Sequence, residues 1–334
     1  MKAVGLYKYL PITNEESLVD VEVEQGHPTG YDLLIRVQAV SVNPVDIKVR
    51  APKDKEEEKP KILGFDASGI VEEVGEECSL FKKGDKVYYA GSIDRQGTNS
   101  EYHLVDERIV GRKPENLSFA EAAAMPLTTL TAWEGLFQRL HVQEGESILI
   151  INGGGGVGSI AIQLAKQAGL TVIATSSRIE TSEWCKGLGA DFIINHYESM
   201  EEQLKEHGME SVDNIFCLHS TDKHWEEMSK VIRPQGKICS IVENEEPIDL
   251  KLLQDKSISF FWEFMFTRPL YETDDMVEQH HILNKVGEEL EKENLQHTLQ
   301  ETISPINAEN MRKAHGKVEK GKMIGKIVVE GWGQ

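Results

Sequence analysis

The chain has 334 residues, a formal net charge of −20 at pH 7, 40% hydrophobic residues and 28% charged ones. That length suits about two domains with at least one large core, and no apolar run approaches the roughly 20 residues that a membrane helix needs. A field of this sign repels phosphate polymers and anionic lipid, so nucleic-acid and membrane partners are set aside.

The opening stretch "MKAVGLYKYLPITNEE" has no sustained apolar segment and no small-residue cleavage site, which reads as no secretory signal and places the protein in the cytoplasm. Cys78, Cys185, Cys217 and Cys239 lie far apart with no Cys-x-x-Cys spacing; they read as reduced, buried thiols rather than a disulfide framework or a zinc ribbon. Up to about residue 120 the chain alternates short β-rich runs, "DLLIRVQAVSV", "ASGIVEEV" and "DKVYYAG", with Gly, Pro and Asp turns, the pattern of a compact β-rich domain. Within it "APKDKEEEKPK", Ala51 to Lys61, is a Pro-bounded charge run that reads as a solvated loop.

From Ser147 the pattern becomes strand and helix in turn. "SILII" is followed by a helix to Ala168, "TVIAT" by one through Trp184, "DFII" by one near Leu204, and "NIFCL" by one through Met228, ahead of "KICSIV". Such alternation specifies a parallel sheet with crossover helices. "SISFFWEF" then reads as an apolar edge strand, "MVEQHHILNKVGEELEKE" as a helix, and "GKIVVE" as a final strand that can rejoin the first domain. His280 and His281 are adjacent on that helix, roughly 100° apart around its axis, and read as solvated rather than as a metal pair.

The segment "ESILIINGGGGVGSIAIQLAK" joins the first strand of the alternation to an amphipathic helix in which Val157, Ile160, Ala161, Leu164, Ala165 and Ala168 form one apolar stripe. Gly153, Gly155 and Gly158 satisfy G-x-G-x-x-G: one glycine for the tight turn, one for close approach of a pyrophosphate, one for helix packing. With Gly156 and Val157 they open a helix whose free amides and dipole suit phosphate, so this loop is assigned to a dinucleotide. At the end of the second strand an acidic residue would bond the 2′-hydroxyl of NAD. Here Ser176, Ser177 and Arg178 follow instead, and hydroxyls with a guanidinium suit the 2′-phosphate of NADPH. His219, just after "NIFCL", lies at the carboxyl edge of the sheet, where either a ribose contact or an ordinary surface position is open to it.

Three segments in order, "KILGFDASGIVEEVGEECSLFKKGDKVYY", "INGGGGVGSIAIQLAK" and "GKIVVE", resemble the medium-chain dehydrogenase/reductase superfamily, and within it the zinc-free quinone oxidoreductase branch that includes zeta-crystallin. "WEFMFTRP" and "SPINAENMRKAHGKVEKGKMIGKIVVEG" are similar to bacterial proteins called zinc-type alcohol dehydrogenase-like. The resemblance implies a Rossmann domain, doubly wound and α/β, over residues 122–266, and a GroES-like β-rich catalytic domain over 1–121 and 267–334.

In zinc-dependent members a Cys, a His and a third Cys or carboxylate hold the metal; the positions the resemblance matches to them here are Asn43, Phe65 and Leu127. Neither a phenyl ring nor an isobutyl group has a lone pair to offer, and the four closely spaced cysteines of the structural zinc lobe are missing, so no metal is expected. Without a Lewis acid a simple alcohol is a poor substrate. The resemblance implies instead NADPH-dependent reduction of quinones or α,β-unsaturated carbonyls. It puts Asn43, Asp46, Phe65 and Thr131 beside the nicotinamide: Thr131 as a hydrogen-bonding hydroxyl, Asn43 as a group that polarises a substrate carbonyl, Asp46 ordering the loop "NPVDIK", and Phe65 as an apolar wall. Two other readings stay open, a zinc-dependent alcohol dehydrogenase and a non-catalytic NADPH-binding regulator. Trp262, Phe264, Met265 and Phe266 suit either the substrate cleft or a core or subunit interface. The edge strand before them favours a homodimer.

Overall fold

In a computed structural model residues 1–333 are described. The chain divides into two compact units, Met1–Leu127 together with the chain from Phe266 onward, and Thr128–Met265.

The first unit begins with eight strands: β1 (Lys2–Tyr9), β2 (Val19–Glu22), β3 (Asp32–Ser41), β4 (Lys53–Ile62), β5 (Ala67–Val74), β6 (Lys86–Tyr89), β7 (Tyr102–Asp106) and β8 (Val110–Arg112). Between β3 and β4 lies the short helix α1 (Pro44–Arg50), after β8 comes α2 (Phe119–Ala123), and α3 (Pro126–Trp133) begins at the end of this stretch with most of its residues in the second unit. The second unit carries β9 (Ser147–Ile151), α4 (Gly156–Gln167), β10 (Thr171–Thr175), α5 (Ile179–Gly187), β11 (Phe192–Ile194), α6 (Met200–Glu206), β12 (Val212–Cys217), α7 (Thr221–Val231), β13 (Ile232–Ser240) and β14 (Ser259–Trp262). The chain then adds α8 (Thr267–Tyr271), α9 (Glu278–Glu291), β15 (Leu299–Ile303), α10 (Ala308–Glu319) and β16 (Lys326–Glu330) to the first unit.

The second unit is a six-stranded parallel sheet in the order β11-β10-β9-β12-β13-β14, the doubly wound arrangement in which ligands bind outside the carboxyl ends of the strands. Its central strands read as unbroken apolar runs because both faces are covered: Leu149, Ile151, Ile173, Ile215 and Ile238 are all buried in one cluster.

In the first unit a three-stranded sheet, β2-β1-β4, accompanies a seven-stranded one in the order β15-β16-β3-β5-β6-β8, with β7 also paired to β3. Valine, leucine and isoleucine from β1, β3, β5, β6 and β16 fill its core. The return of the C-terminal strand matters for the site. Antiparallel pairing sets Val328 opposite Ser41 and Val329 opposite Val40, while Val40 faces Ala67 across the other edge of β3. Continued by one or two residues, these registers carry Lys326 and Asp66 up to Asn43.

Two expectations are corrected here. The charge run at 51–61 forms most of β4, paired antiparallel with β1. Its backbone finds partners on β1 while its side chains stay largely exposed, and lysines and glutamates on an edge strand discourage further pairing. His280 is buried rather than solvated: its Nδ1 meets the Val110 carbonyl at 2.6 Å and its Nε2 the Asn284 amide at 2.9 Å. His281, on the same helix, is exposed. Among the four free thiols Cys185, Cys217 and Cys239 are buried and Cys78 is half-buried.

Among the described residues no helix is long and apolar enough to cross a membrane.

Candidate functional site

In the first unit a buried polar cluster forms at the entry to α1. Asn43 is the residue before the helix, in extended conformation (φ −119°, ψ 160°), and Pro44 occupies the first helical position, where its missing N–H costs nothing. Asp46, one turn on, accepts the Asn43 backbone N–H at 2.8 Å with Oδ2 and the Gly64 N–H at 3.0 Å with Oδ1. That carboxylate thus ties the start of α1 to the segment that carries Phe65.

Asp66 lies next to it. Its Oδ2 accepts from the Asn43 amide at 2.7 Å and from the Lys326 ammonium at 3.0 Å, and its Oδ1 from the Leu127 backbone N–H at 2.8 Å. Lys326 also donates to Asn43 Oδ1. Every member is withdrawn from solvent, with Lys326 4% exposed and Asp66 0%. A charge in such a place persists when it is paired and hydrogen-bonded, and one ammonium here faces two carboxyls. Burial pushes the Asp46 carboxyl up to about 7, opposed by the backbone donors of Asn43 and Gly64 and by the Lys326 charge. Burial likewise raises Asp66, against the pull of Lys326 and Asn43.

Phe65 is 2% exposed and packs edge-on against Phe266, ring centroids 5.3 Å apart. Met265 and Phe266 are buried, whereas Trp262 and Phe264 are 47% and 44% exposed. The aromatic cluster therefore separates into an inward half and an outward half.

Sequence reasoning singled out Asn43, Asp46 and Phe65 but missed Asp66 and Lys326. Asp66 was in view as the neighbour of Phe65 in "LGFDASG", while Lys326 lies in "GKIVVE", hundreds of residues away, and joins the cluster through strand register alone.

The second unit supplies a cradle of backbone. Asn152, not a glycine, takes the left-handed conformation at the end of β9 (φ 68°), which corrects the role given to the first glycine; Asn is among the residues that tolerate it. Its N–H is held by Thr175 Oγ1 at 2.9 Å. The glycines are required by contact instead. A Cβ on Gly158 would lie 2.6 Å from the carbonyl oxygens of both Asn152 and Gly153, and one on Gly153 2.8 Å from the Ala174 methyl. Because α4 starts at Gly156, the amides of Gly156, Val157 and Gly158 form its first turn, where a helix offers no carbonyl partner. Amides so presented fit the phosphates of a dinucleotide.

At the end of β10 Ser176 is buried and shares a 2.5 Å hydrogen bond with Ser182, while Ser177 is exposed and Arg178 half-buried at the start of α5. His219 is exposed after β12, its Nδ1 2.7 Å from Ser220 Oγ. Thr131 is buried on α3.

Residues 156–279 match the family described as zinc-binding dehydrogenase, and residues 29–134 match the alcohol dehydrogenase GroES-like domain. The chain belongs to the medium-chain dehydrogenase/reductase superfamily. It is 42% identical to a zinc-type alcohol dehydrogenase-like protein of Staphylococcus epidermidis, over 98% of this chain and 99% of that protein. The crystal structure of a putative zinc-dependent alcohol dehydrogenase from Rhizobium etli is 48% identical, with a TM-score of 0.96 over 100% of this chain and 99% of its own. The 2-methylene-furan-3-one reductase of Solanum lycopersicum is 35% identical over 70% of this chain and 59% of its own length. The quinone oxidoreductase of Coxiella burnetii is 28% identical, with a TM-score of 0.83 over 99% of both chains. As a member of this superfamily the chain is an oxidoreductase with a Rossmann domain that binds a nicotinamide cofactor.

The zinc in the family's name can be tested against the donor set. Phe65 and Leu127 carry no lone pair, and Asn43 Oδ1 already accepts from an ammonium. A divalent cation there would meet the Lys326 charge, so these residues do not fit zinc. Among the described residues no other group of three His, Cys, Asp or Glu side chains is arranged to hold a metal ion.

Proposed function

We propose that the protein is an NADPH-dependent, metal-independent reductase acting on quinones or α,β-unsaturated carbonyls. The observation that carries this reading is the Lys326–Asn43–Asp66 cluster, in which a fixed ammonium lies where zinc-dependent relatives put a cation-binding ligand set. With no Lewis acid to stabilise an alkoxide, a conjugated acceptor that spreads the developing charge is the substrate such a site can serve. The similarity to a furanone reductase and to a quinone oxidoreductase supports the same class.

The residues that would hold the cofactor are Gly153, Gly155, Gly156, Val157 and Gly158 at its pyrophosphate, Ser176, Ser177 and Arg178 at the 2′-phosphate, and His219 at the ribose. When bound, NADPH supplies a hydride. The chain itself orients and excludes water. In this reading Phe65 shields one side of the reacting centre and Thr131 offers a hydroxyl to the nicotinamide. Asp46 fixes the Asn43 and Gly64 backbones, and Asn43 acts as a positioning residue, because both its side-chain polar atoms are engaged by Asp66 and Lys326. Solvent delivers the proton, and the cytoplasm is the proposed location.

NADPH oxidation across a panel of quinones and enones, beside NADH and simple aldehydes, tests the reading, with elemental analysis for zinc on the same preparation. Turnover of aldehydes with one tightly bound zinc per chain would replace it with a zinc-dependent alcohol dehydrogenase. Tight NADPH binding with no turnover would point to a non-catalytic regulator.

We also propose a homodimer through β14, which lies at the edge of the six-stranded sheet with Trp262 exposed, since an unpaired apolar edge invites another strand. Light scattering should give a dimer for the parent and a monomer for Trp262→Glu.

A further inference from the structure

Residues 97–99 run along residues 62–64 as an extension of the site. The N–H groups of Gly97, Thr98 and Asn99 donate to the carbonyls of Ile62, Gly64 and Leu63 at 2.9, 3.0 and 2.9 Å. Gly64 has a φ of +107°, and a Cβ on it would lie 2.5 Å from Thr98 Oγ1 and 2.6 Å from Asn99 Oδ1. The Asn99 carboxamide is therefore pressed against the residue whose N–H Asp46 holds and which precedes Phe65.

Asn99 is 1% exposed, and neither Oδ1 nor Nδ2 has a hydrogen-bond partner among the described residues. Its neighbours differ. Asn43, Asp46 and Asp66 are engaged as described above, and Thr98 Oγ1 donates to the Asp66 carbonyl at 3.3 Å. The Asn99 backbone is satisfied too, its carbonyl accepting from Val4 at 2.8 Å. A buried carboxamide left wholly unpaired is costly and calls for a reason, and a role in pairing with a bound substrate supplies one.

We propose that Asn99 is the substrate-recognition residue, and that it selects a conjugated carbonyl compound with an N–H or O–H on the atom next to the carbonyl carbon. The inference rests on the reductase reading and names its substrate class. A carboxamide presents one donor and one acceptor side by side, so Nδ2–H bonds the substrate carbonyl oxygen while Oδ1 accepts from the adjacent N–H or O–H. As a hydride adds at the β-carbon, the C=C electron pair shifts toward that oxygen, and the Asn99 N–H bonds the enolate that forms; water then protonates the α-carbon. Asn99 makes and breaks no covalent bond, and its contribution is strongest where the charge develops. A site built to pair an N–H also rejects the analogue that lacks it.

Maleimide and N-methylmaleimide differ in that one donor, and succinimide is the saturated counterpart that accepts no hydride. With the parent and NADPH, kcat/KM for maleimide should exceed that for N-methylmaleimide at least tenfold. Asn99→Leu should lower the maleimide value at least tenfold and erase the preference, with the NADPH dissociation constant unchanged and Tm unchanged or higher, because two unpaired polar atoms are removed. In infrared difference spectra the carbonyl band of bound 13C-succinimide should be lowered in the parent and restored in Asn99→Leu. Equal kcat/KM for the two imides in the parent, parental kinetics in Asn99→Leu, or a lower Tm with an unmoved carbonyl band would each overturn the assignment. If the parent oxidises NADPH with no quinone, enone or imide, the reductase reading fails by itself. The succinimide band then decides for Asn99: a shift lost in Asn99→Leu upholds carbonyl recognition, and no binding by the parent overturns it.

Discussion

The two units solve the problem of a polar site in opposite ways. The second presents backbone: three glycines, an asparagine in the left-handed region and the first turn of α4 offer amide groups at a sheet edge. The first presents side chains drawn from three places in the chain and sealed from solvent: Asn43 and Asp46 at the start of α1, Asp66, and Lys326. A backbone cradle is a local device that tolerates changes around it and fails when a methyl group intrudes. A sealed side-chain cluster fails when its charge balance is broken. Each contrast can be measured.

The largest effect belongs to Lys326. Lys326→Met leaves Asp66 buried without its cation, and breaking such a pair costs about 3–5 kcal/mol, read by chemical denaturation. Asp66→Leu combined with Lys326→Met should recover more than half of that loss, since replacing both partners by apolar groups removes the unpaired charge. A double variant no more stable than the single would show that the cluster is held by packing instead.

In the second unit the cofactor side is the next test. Arg178→Ala should weaken NADPH by about 1.5–3 kcal/mol, the worth of a charged hydrogen bond, and leave NADH unaltered, measured by fluorescence titration of both. Equal affinity of the parent for the two cofactors would remove the basis for Ser177 and Arg178. Gly158→Ala forces a methyl against two backbone carbonyls that cannot yield without moving β9, an overpacking cost of about 1–3 kcal/mol. Cofactor affinity should fall in the same variant, whereas Gly187→Ala, with open space at its Cβ, should alter neither.

The smallest effect is a slope with pH. Asp46, near 3.8 when unfolded and raised to about 7 in the fold by burial, favours the folded state while protonated. Its contribution is complete below about pH 4 and is lost as pH rises through 7. Asp46→Asn cannot titrate but gives up an acceptor, so it should be less stable than the parent at pH 5, with a Tm gap that narrows by pH 8. A constant gap would mean that Asp46 stays ionised throughout, neutralised by Lys326.

These contrasts follow how much could be read from the chain. Alternating "SILII", "TVIAT", "DFII" and "NIFCL" with amphipathic helices was legible because burial on both faces writes an apolar run into each strand and a 3.6-residue stripe into each helix. The glycine turn between β9 and α4 was legible for the same reason of locality: strand end, turn and helix start fall within a few residues. Where legibility failed, a partner outside the local window decided. The run at 51–61 carries eight charged side chains but becomes most of β4 because β1 lies alongside it. His280 is buried because α9 packs where the Val110 carbonyl can reach its ring.

By itself, then, the sequence determined the parallel sheet, the glycine turn into α4 and the side-chain types at 43, 65 and 127, since each depends on residue type and near-neighbour spacing. What the tertiary structure decided was the company those residues keep. Antiparallel pairing of β16 and β5 with β3 brings Lys326 and Asp66 to Asn43, and the run of 97–99 along 62–64 presses Asn99 against Gly64. Strand register is a choice among alternatives one residue apart that invert every side chain. It is settled by the whole core at once rather than by any stretch of chain.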